Sequence, residues 1–265
     1  MKTVINKNYF GPWALITGAS SGIGEEFARQ LAANGINLVL AARRKNILDE
    51  LGEKLKRTYG IKYQSVQTDL SQESSLNYLL NAIEGIDIGL FISNAGAAQA
   101  GRFADKDFQN LLKNVQLNAL SHLRLAHHFS QVFKYKKRGG IILVGAMGAS
   151  EGVPYMATEA GGKALIESLG KSLNEELTGT GVHVTVLVTS PTDTQVIDYL
   201  GFREGEMPSK PVPVKQCVDE TLAAFLKNQT SIIPGKMYRI MHSVIPEGYS
   251  RKMMGSIIKK NNNII

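Results

Sequence analysis

The segment WALITGASSGIGEEFARQ, residues 13–30, constrains the fold more than any other stretch of this chain. A short apolar run of strand type ends in a turn carrying Gly18, Gly22 and Gly24, and helical spacing begins with no linker. Glycines let the backbone turn left-handed and let other backbone approach closely. The helix that starts there leaves unpaired N–H groups and positive potential facing the turn. Residues 13–30 therefore read as a strand–turn–helix unit able to hold an anion, with a diphosphate the best match.

The same alternation continues along the chain. Strand candidates lie at 37–42, 62–69, 88–96, 139–146 and 182–190. Helical patterns separate them at about 72–84, 105–135 and 155–177. Short apolar strands separated by helices predict a parallel sheet buried on both faces. The expected architecture is α/β, a Rossmann-type doubly wound sheet with helices on both sides. The spacing predicts a single domain over 1–265, with no linker or repeat. Pro208, Pro211 and Pro213 mark 195–214 as a lid over the strand ends, and 235–265 reads as a C-terminal extension.

Composition excludes several classes. The net charge is +7, but the basic residues are dispersed, so no nucleic-acid partner is expected. The first residues lack the apolar core of a signal peptide, and no apolar run reaches membrane-span length. One cysteine, Cys217, cannot form an intrachain disulfide, which fits a cytoplasmic setting. The five histidines have no metal-site spacing, so no metal is expected; His122, His127 and His128 read as residues of a packing or oligomer helix.

The second strand ends in LAARRK. No carboxylate stands at Ala42 to take an adenosine ribose diol. Arg43 and Arg44 instead offer guanidinium forks suited to a 2′-phosphate, which favours NADP(H) over NAD(H). With TGASSGIG at 17–24, TDLS at 68–71, SNAG at 93–96, Asn118 in VQLNAL and ESLGKSLNEEL at 167–177, the chain resembles the classical short-chain dehydrogenase/reductase family over nearly its whole length. The resemblance implies a cofactor site from Gly18, Ser20, Ser21, Gly22, Ile23 and Gly24, with Asp69 and Leu70 near adenine. It also implies Asn94, Ala95 and Gly96 beside the adenine ribose, and Lys163 and Thr194 toward the nicotinamide.

The other end departs from the family pattern. Members usually work with Asn, Ser, Tyr and Lys. Asn118 and Lys163 match two of these. Four residues before Lys163 stands Glu159 where tyrosine is expected, and thirteen before that stands Ala146 where serine is expected. A carboxyl titrates near pH ~4.3 and a phenol near ~10, so the exchange alters the proton chemistry. Tyr155 lies one turn before Glu159. It would share a face with Glu159 and Lys163 if the helix reaches back that far. A Glu159–Lys163 helix ion pair is the structural alternative.

Three readings stay open. The first is an NADP(H)-dependent oxidoreductase whose proton comes from Glu159, Tyr155 or water. The second is a lyase, isomerase or cyclase using Glu159 as acid or base. The third is an NADP(H)-binding protein without turnover. The substrate is expected to be a small molecule, one that is lipophilic if the Met- and Ile-rich tail covers the pocket. That tail could instead touch a membrane surface or pack on a partner subunit. The resemblance further implies a homodimer or homotetramer built on the helices near 105–135 and 155–177.

Overall fold

The computed structural model describes residues 4–200 and 209–264. Seven parallel strands form one sheet in the order β3-β2-β1-β4-β5-β6-β7. They are β1 Trp13–Thr17, β2 Asn37–Ala42, β3 Tyr63–Gln67, β4 Ile88–Ser93, β5 Gly139–Ala146, β6 Val182–Thr189 and β7 Ser231–Ile232. The helices are α1 Lys7–Phe10, α2 Gly22–Ala33, α3 Lys45–Tyr59, α4 Glu73–Ala82, α5 Phe108–Val115 and α6 Ser121–Lys136. They continue with α7 Ala157–Glu176, α8 Gln195–Tyr199, α9 Val214–Leu226, α10 Lys236–Val244 and α11 Glu247–Asn261.

The period-two alternation of the strands divides the core into two layers. Ala14, Ile16, Leu38, Leu40, Leu90, Ile92 and Ile142 face one layer, against α2, α3 and α9. Leu15, Val39, Phe91, Ile141 and Leu143 face the other, against α4, α6 and α7. Both faces are covered, which is why the strands read as continuous apolar runs. Sheet order reverses between β1 and β4, so the strand ends there open a crevice.

Two expectations change. The long helix near 105–135 is not continuous. A short 3-10 turn at Phe103–Asp105 precedes α5, and a π-type turn at Gln116–Leu120 separates α5 from α6. That turn carries the buried Asn118, in keeping with the habit of such turns to mark functional positions. The helix near 155–177 begins at Ala157, after Tyr155. Tyr155 has φ +67°, a left-handed conformation incompatible with extending that helix backwards. Of the segment 195–214, Val212 forms a parallel bridge with Thr192, while 201–208 lie outside the described residues. Among the described residues, no helix is long and apolar enough to cross a membrane.

Candidate active site

One cavity of about 1020 Å³ runs along the strand ends from the glycine turn to the C-terminal helices. Its nucleotide end is built by β1, β2 and β4. Gly18 has φ +67°, and a Cβ there would lie 2.9 Å from Ala95 Cα. A Cβ on Gly24 would lie 2.3 Å from the Gly18 carbonyl oxygen, so this glycine lets α2 sit on the turn. Gly24 does not line the cavity, unlike Gly18, Ser20, Ser21, Gly22 and Ile23. The Ser21 side chain makes no cap bond to α2. The positive end of that helix faces the turn, and the cradle fits a diphosphate.

Ala42, Arg43 and Arg44 line the same end. Arg44 donates to Ser20 Oγ at 2.9 Å and Ser21 Oγ at 3.1 Å, which folds its guanidinium over the turn. Asp69 and Leu70 line the cavity opposite. Asp69 accepts from the Ser71 N–H and hydroxyl, which fixes the loop after β3.

Asn94, Ala95 and Gly96 also line the cavity, and their placement rests on Thr17 and His122. Thr17 Oγ1 accepts from the Asn94 and Ala95 N–H groups, tying β4 to β1. Asn94 Nδ2 donates to Thr17 O at 3.0 Å. His122 lies behind this wall, fully buried. The Ser93 hydroxyl bonds its Nδ1 at 2.7 Å, and its Nε2 bonds Ala95 O at 2.8 Å. Burial first, then the Lys163 ammonium, push its pKa down to about 3. The imidazole is neutral and acts as a brace, donating from Nε2 and accepting at Nδ1. His122 stands one helical turn after Asn118, and that spacing was the available signal.

Asn118 and Lys163 converge on Gly96. A Cβ on Gly96 would lie 3.0 Å from Asn118 Oδ1 and 3.4 Å from Lys163 Nζ. Asn118 is held by Ala97 on both sides: Nδ2 donates to Ala97 O and Oδ1 accepts from Ala97 N–H. Lys163 Nζ donates to Val144 O at 2.7 Å. Burial brings its pKa down to about 8, opposed by the carboxylate of Glu167. Glu167 is itself buried one turn further along α7, accepts from Ala146 N–H at 3.3 Å, and is raised by desolvation. Nothing in the sequence pattern singled out Glu167.

Glu159 lines the cavity wall, but its carboxylate is bonded sideways into the loop after β4. Oε1 accepts from Gln99 N–H at 3.1 Å and from Asn114 Nδ2 at 2.8 Å. Oε2 accepts from Thr158 Oγ1 at 3.0 Å. The cation near it is Lys106, at 3.9 Å, and among the described residues no Glu159–Lys163 ion pair forms. This removes the helix ion pair that stood as the structural alternative. The two side chains are one turn apart, but Lys163 reaches to β5 and Glu159 to α5. Tyr155 does not line the cavity; its carbonyl oxygen accepts from Gly101 N–H.

Ala146 forms the wall where a serine hydroxyl was expected, and the neighbouring Thr189 hydroxyl is spent on Gly145 O. Ser150 and Thr194 line the cavity as well. The far half is rich in methionine and isoleucine: Met147, Met156, Ile197 and Leu200 line it with Met241 of α10, the following Ile245, and Met253, Met254 and Ile257 of α11. Glu151, His242, Glu247 and Arg251 add charge to the same wall. The tail thus closes the pocket, one of the roles expected of it. No group of three or more His, Cys, Asp or Glu able to hold a metal occurs among the described residues.

The short chain dehydrogenase model matches residues 12–202. A 7beta-hydroxysteroid dehydrogenase of Collinsella aerofaciens is 30% identical over 230 residues, covering 86% of this chain and 87% of its own. A structure solved for work on 7beta-hydroxysteroid dehydrogenase stereoselectivity superposes with TM-score 0.86 at 26% identity, over 96% of this chain and 100% of that one. A short-chain dehydrogenase from Sphingobium yanoikuyae in complex with NADPH gives TM-score 0.80 at 30% identity, over 92% and 94%. The crevice at the β1/β4 switch, the glycine turn and the extent of these matches together make the chain a member of the short chain dehydrogenase family, an oxidoreductase family that binds nicotinamide cofactors.

Proposed function

We propose that this protein is an NADP(H)-dependent oxidoreductase interconverting a ketone and a secondary alcohol on a lipophilic small molecule, in a site that lacks the family's serine and tyrosine hydroxyls. The observation that carries this reading is the continuous cavity. It joins an arginine-flanked glycine turn, a buried lysine and a methionine-rich chamber. Arg43 and Arg44, with no acid at the end of β2, support a 2′-phosphate over a free ribose diol. The steroid enzyme among the relatives and the NADPH complex among the solved structures are consistent with both halves.

When bound, the nicotinamide supplies or accepts a hydride; reduction also consumes one proton. The chain must deliver that proton. Lys163 is the best-placed donor: it lines the cavity, and one of its N–H bonds goes to Val144. Its pKa of about 8 lies near neutral pH, where a group both gives and regains a proton. Transfer runs directly or through one water. Asn118 holds the Ala97 backbone beside Lys163 and keeps the loop from collapsing into the site.

Glu159 is a brace in this reading. Both its oxygens accept from donors of the loop and of α5, and becoming a donor would forfeit part of that set. This argues against a lyase or isomerase turning on Glu159. It also supports a second reading, nucleotide and ligand binding without turnover. For assembly, exposed Phe108, Leu112, Leu123 and Leu165 on α5, α6 and α7 support a homo-oligomer through those helices. The lone buried thiol, Cys217, agrees with a cytoplasmic setting.

The test is NADPH and NADH titration, then nicotinamide absorbance against ketones and alcohols of increasing apolar bulk. Wild type should prefer NADPH, and Arg44→Asp should lose roughly 30-fold in NADPH affinity while leaving NADH within a fewfold. Turnover by wild type and its loss in Lys163→Met support the oxidoreductase. Turnover gained only in Ala146→Ser/Glu159→Tyr leaves the binding protein, and failure to bind either nucleotide removes both readings.

A further inference from the structure

The helices that close the cavity carry an unpartnered outer face. On α10, Met237, Ile240 and Val244 are spaced i, i+3, i+7 and are 55%, 46% and 68% exposed. The opposite face turns inward: Tyr238 is buried, and Met241 and the following Ile245 line the cavity. An apolar stripe on each side of one short helix is more than packing on this subunit requires.

The neighbouring helix supplies the charge. On α11, Met253, Met254 and Ile257 face the cavity. Tyr249, Lys252, Ser256 and Lys259 occupy the outer face at i, i+3, i+7 and i+10, all exposed. Residues 236–264 hold six Lys and Arg against one Glu. Lys236, Lys252 and Lys259 are exposed and make no ion pair among the described residues. Each helix thus turns one face to the cavity and another to solvent, an apolar row on α10 and a basic row on α11. The two rows follow one another in the chain, separated by Ile245 and Pro246.

We propose that this outer face docks on an anionic lipid bilayer surface, with Met237, Ile240, Val244 and Tyr249 entering the interfacial region and Lys236, Lys252 and Lys259 meeting the headgroups. Charge decides the occupant. A second copy of this chain carries the same basic row and would meet it with like charge, whereas an anionic leaflet is complementary to it. Helices lying in the interface combine an apolar face with flanking lysines in the same way. The arrangement also places the methionine-rich chamber one helix thickness from the lipid, so a lipophilic ligand reaches it without crossing water. The docking itself stands independently of any hydride chemistry.

The experiment is co-sedimentation of the full chain with large vesicles of phosphatidylserine in phosphatidylcholine, and with phosphatidylcholine alone. Binding to the anionic vesicles should exceed binding to the neutral ones by about tenfold at low salt and fall as salt rises. Ile240→Asp/Val244→Asp should abolish it, and Lys252→Glu/Lys259→Glu should remove the preference for phosphatidylserine. Circular dichroism and NADPH titration of each variant verify that the fold and the nucleotide end are intact. Wild type remaining in the supernatant with anionic vesicles overturns the proposal. So does a change in solution mass of Ile240→Asp/Val244→Asp by light scattering with vesicle binding retained, which assigns the face to a second copy.

Discussion

The two ends of the cavity are held by opposite means. At the nucleotide end, backbone does the work: a left-handed Gly18, a Gly24 without side chain, and N–H groups tied to Thr17. At the Lys163 end, side chains reach across long sequence distances: Asn118 to Ala97, Glu159 to Asn114 and Gln99, Lys163 to Val144. Backbone geometry tolerates little substitution, since only glycine fits. A side-chain network can exchange members while the cavity keeps its shape. This is a physical reason to expect residue exchanges at the Lys163 end before the glycine turn.

The harshest break of that contrast is Gly24→Ala. Its methyl would meet the Gly18 carbonyl oxygen at 2.3 Å, so α2 must move off the turn. NADPH affinity should fall by roughly two orders of magnitude, with a cost of about 1–3 kcal/mol in stability. Titration and thermal melts measure both; unchanged affinity would mean that the turn is not the diphosphate site.

His122 sharpens the contrast next, being a side chain that serves the backbone-built end. Its folded pKa is depressed from 6.5 to about 3. Stability linked to it is therefore full above pH 6.5 and is lost as pH falls toward 3, where the folded form also takes the proton. Within that window the unfolded chain holds up to one more proton, a slope of about 1.4 kcal/mol per pH unit. In His122→Gln, urea melts between pH 4 and 6 should give a shallower acid slope than wild type. Equal slopes would sink the buried, neutral assignment.

The smallest effect is expected from the conservative exchange at Glu159. Glu159→Gln keeps Oε1 for Gln99 and Asn114 and lets the amide donate to Thr158, so stability should change by less than about 1 kcal/mol. Turnover, where wild type has it, should change less than threefold. Glu159→Leu leaves the Gln99 N–H and Asn114 unsatisfied and should cost about 2–3 kcal/mol. A dead but stable Glu159→Gln would return proton transfer to the carboxylate.

Legibility followed the range of the forces involved. Strand and helix periodicity, the glycine turn and the arginines after β2 are local, and all could be read from adjacent residues. The tail was legible only as a set of options, because its Met and Ile residues suit a pocket wall, a lipid surface or a subunit contact equally. The inward row of α10 and α11 faces the cavity, and the outward row remains exposed. Tyr155 could share a face with Glu159 only if the helix began two residues earlier than α7 does, and a left-handed backbone breaks it there.

By itself the sequence determined a doubly wound parallel sheet with a glycine-rich anion cradle and a carboxylate one turn before Lys163. Only the tertiary structure decided which way that carboxylate faces. Its partners Gln99 and Asn114 stand sixty and forty-five residues upstream. Helix α5 and the loop after β4 bring them to α7, and their hydrogen-bond donors hold the carboxylate toward α5. Spacing along a helix fixes which side chains could meet, but the donors that other elements carry there decide which do.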